Sequence, residues 1–165
     1  MASLMEYIDK KAAALLDILL VKQATVTFAE SCTGGMLSAA FTRHAGASAA
    51  LKRSYVTYCD AAKAEMLEVS SRDLALYTAV SSPVAAQMAT GARRQAGADI
   101  AISVTGLAGP TGGMAVQPVG LVYIGCAVND GVRVIRAVFP GNRDMVRQQA
   151  ALLAYRTALQ AAAVL

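Results

Sequence analysis

Four short segments hold the residue types from which a hydrolytic site can be assembled. The first is Glu30-Ser31-Cys32-Thr33-Gly34-Gly35, between a β-rich run and an alanine-rich one. A serine on a tight strand-to-helix turn is exposed, and neighbouring backbone N–H groups converge on a common centre. Gly34 and Gly35 allow close backbone approach, so the turn suits a phosphate or an oxyanion. Ser/Thr-Gly-Gly is equally an ordinary cap and turn, and spacing alone leaves both readings open. The second segment, Thr105-Gly106-Leu107-Ala108-Gly109-Pro110-Thr111-Gly112-Gly113, follows an Ile/Val-rich strand, where open α/β sheets bind ligands.

The third segment supplies Tyr58 and Lys63. A serine nucleophile needs a base, and a lysine serves when burial or a neighbouring cation lowers its pKa. Tyr58 is placed to relay a proton or donate to a developing oxyanion. A tyrosine and a lysine at this spacing are also commonly an edge aromatic and a solvated helix residue. The fourth segment, Gly141-Asn142-Arg143-Asp144-Met145-Val146-Arg147, puts two arginines on one face of a helix start, where they suit a phosphate or carboxylate.

Other chemistries lose their residues. His44 is the only histidine, so a two-histidine zinc motif is excluded and a Ser/His/Asp triad would depend on this one residue. Its place after Arg43, at the end of a short helix, reads as a surface or capping position. Cys32, Cys59 and Cys126 form no Cys-x-x-Cys pair, which points to a reduced, cytoplasmic protein without a cysteine zinc site. Cys32 is a minor rival nucleophile, expected to point away from the serine's direction. The chain has no Gly-x-Gly, no Gly-Lys and no Ser-x-x-Lys, which disfavours dinucleotide folds and P-loops and excludes the penicillin-binding arrangement.

The elements that must position these segments follow from periodicity. Apolar residues at helical spacing predict a helix over 4–22, a strand over 24–29 and a helix over 36–41. A break falls at Gly46-Ala47-Ser48, then a strand over 53–59 and a helix capped by Asp60. Ser82 before Pro83 opens a helix that runs to about Gln95 and stops at Gly97. Strands over 99–104 and 119–128 flank the second segment, and Asn129-Asp130-Gly131 turns the chain back into a strand over 132–139. A helix over 142–162 ends the domain. The alternation implies an α/β fold, a three-layer α/β/α sandwich with a mixed sheet and a late β-hairpin.

Composition agrees with one domain over 1–165. The chain of 165 residues is 56% apolar and 16% charged, with a net charge of +4. A domain of that size buries roughly 70% of the surface its unfolded chain exposes. Residues 100–129 carry no charge, but their glycines and prolines break any membrane helix. The charged residues near the start, Glu6, Asp9, Lys10 and Lys11, do not form a secretory signal. No basic run accompanies the +4 excess, so neither nucleic acid nor membrane is an expected partner.

Seven markers in order, from about Thr27 to Ala158, resemble the CinA C-terminal domain family. They are ESCTGG at Glu30–Gly35, GAS at Gly46–Ser48, YCDAAK at Tyr58–Lys63, AVS at Ala79–Ser81, TGLAGPTGG at Thr105–Gly113, PVG at Pro118–Gly120 and FPGNRDMVR at Phe139–Arg147. Stand-alone bacterial members of this family are nicotinamide-nucleotide amidohydrolases. The resemblance implies a three-layer fold and deamidation of nicotinamide mononucleotide to nicotinic acid mononucleotide and ammonia. Ser31 would be the nucleophile, with Lys63 and Tyr58 activating it and passing a proton to ammonia. Backbone N–H groups of Thr33, Gly34 and Gly35 would meet the oxyanion. Ser48, the loop containing Thr105, Gly106 and Gly109, and Arg143 or Arg147 would hold the nucleotide and its phosphate. No cofactor and no metal are implied, and a homo-oligomer is expected. The family's association with competence and DNA damage keeps a second reading, a non-catalytic nucleotide- or protein-binding module. Two departures stand out: Gln117 precedes Pro118-Val119-Gly120 where the family usually has lysine, and Lys52-Arg53-Ser54 replaces a small or glycine-rich run.

Overall fold

The computed structural model describes residues 2–165. These residues form, in chain order, α1 (Leu4–Lys22), β1 (Val26–Glu30), α2 (Met36–Thr42), α3 (Ala47–Ala50), β2 (Tyr55–Val56), α4 (Asp60–Leu67), α5 (Ser71–Tyr77), α6 (Ser82–Ala96), β3 (Ile100–Gly106), β4 (Leu121–Val128), β5 (Gly131–Val138) and α7 (Arg143–Ala163). The strands lie in the order β2-β1-β3-β4-β5. β1 pairs parallel with β2 and β3, while β4 and β5 are antiparallel, so the sheet is mixed as the late hairpin implies.

β3 shows why helices cover both faces. All of Ile100–Val104 is fully buried. Ile100, Ile102 and Val104 join Phe28, Val122 and Ile124 beneath α1 and α7. The opposite face offers small residues, with Ala29, Ala101 and Ala127 packed on Val84, Met88 and Leu67. Small side chains let α6 approach closely: Ser103 Oγ donates to the Ala85 carbonyl at 2.6 Å, and a Cβ on Gly125 would lie 2.4 Å from that same oxygen. α7 in turn fixes α2, because buried Tyr155 donates its hydroxyl to the Leu37 carbonyl.

Local signals explain most element ends. Ser3 and Glu6 form a capping box on α1, and the Asn142 side chain accepts from Met145 N–H to start α7. The structure corrects several sequence expectations. β2 is only two residues long, because hydroxyls replace the ladder bonds just before it: Thr27 Oγ1 donates to Arg53 O at 2.9 Å and Ser54 Oγ to Phe28 O at 3.1 Å. The break at 46–48 contains the single helical turn α3, and Cys59 rather than Asp60 precedes α4. Ser81 rather than Ser82 precedes α6, its hydroxyl donating to the Thr78 carbonyl instead of capping the helix, and Pro83 lies in the first turn. Helix α5 was not foreseen at all. Its signal is Ser70, whose side chain accepts from Asp73 N–H.

α4, which carries Lys63, is seated against α6 by a backbone contact at Gly91. A Cβ there would fall 1.9 Å from the Leu67 carbonyl oxygen. Gly91→Ala is therefore expected to destabilise the fold by about 2–3 kcal/mol, read as a lower urea midpoint, since overpacking forces backbone to shift. An unchanged midpoint would show that α4 does not need this close approach.

Candidate active site

The carboxyl ends of β1 and β3 open into a cleft of about 250 Å³. Ser31, Cys32, Tyr58, Asp60, Lys63, Ala79, Val80, Thr105–Gly109, Thr111 and Arg143 line it. A larger groove of about 660 Å³ lies at the other end of the sheet, beside Gly97–Asp99 and the Asn129–Val132 hairpin. Both of its arginines are engaged, Arg93 with the Asp99 and Asn129 carbonyls and Arg94 with Glu68, and it holds no serine or lysine. The smaller cleft is the one that holds a serine, a lysine and a tyrosine together.

Ser31 leaves β1 with its N–H donating to the Val104 carbonyl at 2.9 Å, which ties its backbone to β3. Gly34 and Gly35 then turn the chain at φ +61° and +97°, the left-handed region that favours glycine. The fully buried Glu30 carboxylate, which sequence reasoning left without a role, fixes this turn. It accepts from the N–H groups of Gly35, Leu37 and Ser38 at 3.0, 3.1 and 3.0 Å and from Ser38 Oγ at 2.8 Å. Gly34 N–H donates to the Ser31 carbonyl at 3.0 Å. Of the three N–H groups expected at an oxyanion, those of Gly34 and Gly35 are thus engaged elsewhere, and Thr33's is not.

Lys63, in α4, is 1% exposed. Its Nζ stands 3.2 Å from Ser31 Oγ and donates to the Thr57 carbonyl at 2.9 Å. Burial lowers its pKa from the ordinary lysine value, against a smaller opposing pull from the Asp60 carboxylate. An amine held below its ordinary pKa beside a serine hydroxyl has the placement that a proton acceptor requires. Cys32 is a poor rival: burial pushes its thiol up to about 11, although the Arg147 cation acts the other way.

Tyr58 reaches the same cleft but not the same atoms. It is 60% exposed, and its hydroxyl accepts from Arg143 Nη2 at 2.8 Å. Among the described residues no hydrogen bond joins it to Ser31 or Lys63, so a direct relay between them is absent. Arg143 also donates Nη1 to the Gly109 carbonyl at 2.8 Å, spanning from the Tyr58 side of the cleft to the glycine loop. That loop is pinned. Thr105 Oγ1 donates to the Ala79 carbonyl at 2.8 Å, and a Cβ on Gly109 would lie 2.4 Å from Val119. Gln117, at the family's lysine position, donates its amide to Thr78 Oγ1 and to the Val80 carbonyl, so it braces the wall at Ala79-Val80.

Two expected ligands lie elsewhere. Ser48 is exposed on α3, because Gly46 at φ +90° coils the chain into that turn beside α1, and it does not line the cleft. Arg147 shares a helix face with Arg143, yet its Nε and Nη2 donate to the Cys32 and Thr33 carbonyls at 3.1 and 3.0 Å. His44 is half-buried with Nε2 3.3 Å from Asp9, away from the cleft. Asp60, Ala79 and Val80 are cleft residues that the sequence left out.

Known proteins resemble the chain along nearly its whole length. A nicotinamide-nucleotide amidohydrolase PncC of Enterobacter agglomerans is 51% identical over 82% of this chain and 83% of its own. Its Escherichia coli K12 counterpart is 47% identical over 83% and 84%. A longer CinA-like protein of a Mycobacterium is 46% identical over 93% of this chain but only 36% of itself. Among solved structures, a competence-damaged protein (CinA) superfamily protein of Escherichia coli superposes with a TM-score of 0.89 at 37% identity, covering 93% of this chain and 89% of that one. The competence/damage inducible protein CihA of Agrobacterium tumefaciens gives 0.88 at 36% identity, covering 93% and 96%. Because the model of the CinA C-terminal domain matches residues 8–162, from within α1 to the end of α7, the chain belongs to the CinA C-terminal domain family.

Proposed function

We propose that this chain hydrolyses the carboxamide of nicotinamide mononucleotide, giving nicotinic acid mononucleotide and ammonia. The observation that carries the reading is buried Lys63 Nζ at 3.2 Å from Ser31 Oγ, at the mouth of strands whose loops line a cleft. The relatives named nicotinamide-nucleotide amidohydrolase supply the substrate. Ser31 Oγ attacks the amide carbon as Lys63 Nζ takes its proton. The C=O bond opens to an oxyanion, which backbone N–H groups after Ser31 receive. On collapse the C–N bond breaks, and the ammonium of Lys63 returns the proton to departing ammonia. Water, deprotonated by the same amine, then cleaves the ester to the carboxylate and frees Ser31. Tyr58 and Arg143 hold the nucleotide, with Arg143 the cation that faces the cleft and suits its phosphate. The backbone of Thr105–Gly109 closes the pocket around the pyridine and ribose.

Purified protein incubated with nicotinamide mononucleotide is expected to release ammonia and nicotinic acid mononucleotide in equal amounts, followed by a coupled ammonia assay and chromatography. Protein that binds the nucleotide, seen as a raised melting midpoint, but leaves it intact would establish a binding module instead.

A further inference from the structure

The turn that presents Ser31 is held by groups of opposite sign, the buried Glu30 and the half-buried Arg147. Glu30 collects its amides on one side, as described above. Arg147 collects its carbonyls, Nε on Cys32 O and Nη2 on Thr33 O, and its remaining nitrogen meets Asp144 at 3.4 Å. All three guanidinium nitrogens are therefore engaged within the protein. Only a planar fork reaches two successive carbonyls in this way.

Peptide geometry turns these contacts into a statement about the N–H groups. In a trans peptide the C=O and the N–H point in opposite directions. The Ser31 carbonyl accepts from Gly34 N–H at 3.0 Å, the Cys32 carbonyl from Arg147, and the Thr33 carbonyl from both Arg147 and Met36 N–H. The N–H groups of Cys32 and Thr33 are thereby turned away from these partners. Among the described residues, neither donates to a backbone or side-chain oxygen. The Cys32 N–H is turned to its own sulfur, which leaves the Thr33 N–H, close behind Ser31, as the unengaged donor of the turn and the group suited to receive anionic oxygen.

We propose that Arg147 is a positioning residue that, through its bond to the Cys32 carbonyl, holds the Thr33 N–H as an oxyanion donor for Ser31 while Glu30 fixes the rest of the turn, and that Arg147 does not bind the substrate phosphate. The proposal rests on the reading of Ser31 as the nucleophile. It assigns the two arginines of α7 opposite duties: Arg143 faces the cleft, and Arg147 faces the turn.

The test is Arg147→Ala assayed with nicotinamide mononucleotide. Loss of an aligned oxyanion donor is expected to lower kcat by ~10²-fold. Methylguanidinium at millimolar concentration is expected to restore at least a tenth of the lost rate, because it can re-bridge the two carbonyls. Arg147→Lys is expected to stay slow, since an ammonium lacks the fork. Binding is read separately by calorimetry in a Ser31→Ala background, where adding Arg147→Ala is expected to change the nucleotide Kd by less than about threefold. A tenfold or greater weakening there, with kcat retained in the single variant, would make Arg147 a phosphate ligand and overturn the proposal. An unrescued loss of kcat would reduce it to a structural residue and overturn it equally. If Arg147→Ala does not fold, Arg147→Gln, which keeps one donor, takes its place with an intermediate loss expected.

Failure of the deamidase reading is recognised separately. A fluorophosphonate forms a P–O bond to Ser31 Oγ with departure of fluoride, the hydroxyl proton passing to Lys63, and it needs oxyanion donors but no nucleotide. Should wild-type protein release no ammonia, intact-mass labelling still decides: slower labelling of Arg147→Ala, restored by methylguanidinium, supports the positioning role, and undiminished labelling removes it.

Discussion

Replacing Lys63 with methionine is expected to lower kcat/KM for nicotinamide mononucleotide by ~10³-fold while leaving the protein at least as stable at pH 7. The activity follows from position: among the described residues the only amine that touches Ser31 Oγ is this one, and no histidine lines the cleft to replace it. The stability follows from linkage. The folded-state pKa of Lys63 lies below the ordinary value of 10.5 because burial disfavours its charged form. At neutral pH the unfolded chain therefore binds this proton more readily than the folded one, and the lysine costs stability. That cost is full below the folded pKa and is relieved as pH rises from there towards 10.5. Methionine of similar length removes the cost. It also forfeits the bond to Thr57 O, worth about 0.5–1.5 kcal/mol. The melting midpoint of the variant relative to wild type should thus be highest near neutrality and decline steadily up to pH 10. A gap that does not change with pH would contradict a lysine held below its usual pKa. Undiminished turnover would remove it as the base. For the wild type, the same proton sets the rising limb of kcat/KM against pH, displaced below that of an ordinary lysine.

The stability cost explains why a buried lysine needs this much fold around it. Lys63 is kept dry by α4 lying on α6 through Gly91, and α6 is itself seated on the small-residue face of β3 and β4. The neutral run from 100 to 129 serves the same end. It contributes β3 and β4, which carry no charge into the interior, and a loop that presents backbone to the cleft.

What the sequence disclosed divides along physical lines. Elements with their own signals were readable: the helical spacing of apolar residues in α1, Pro83 at the start of α6, and the Asn129-Asp130-Gly131 turn each act over a few residues. Ser31, Lys63, Tyr58, the glycine loop and Arg143 were also readable, and they do converge on one cleft. Long-range direction was not readable. Arg143 and Arg147 are equivalent by spacing, and only the packing of α7 sends one to the cleft and the other to the carbonyls of the Ser31 turn. Glu30 stood at the head of the turn with no role of its own, yet its carboxylate reaches eight residues along the chain to bind Ser38. Ser48 misled because its motif is local, while its exposure depends on how α3 rests beside α1. β2 failed as a long strand because hydroxyls on its neighbours made the bonds that a ladder would have made.

Ser31→Ala is the substitution with the largest expected effect: kcat should fall by at least ~10⁴-fold, as for nucleophiles that act as a unit with their base. Nucleotide binding should persist, because the cleft walls from Ala79-Val80, Thr105–Gly109 and Arg143 are untouched. The adjacent Cys32 cannot take over. With its thiol held near 11, only about one molecule in 10⁴ carries a thiolate at pH 7. A second measurement separates covalent catalysis from activation of water by Lys63. If Ser31 forms an ester with the pyridine carboxyl group, added hydroxylamine should intercept it and yield the hydroxamate in competition with nicotinic acid mononucleotide. If Lys63 instead activates water directly, Ser31→Ala would keep a substantial rate, since the amine and its bond to Thr57 O remain in place. Retained turnover with no hydroxamate would therefore move the nucleophile from Ser31 to water. Complete loss, with hydroxamate formed by wild type alone, would assign the attack to Ser31 Oγ and leave Lys63 as the group that carries its proton.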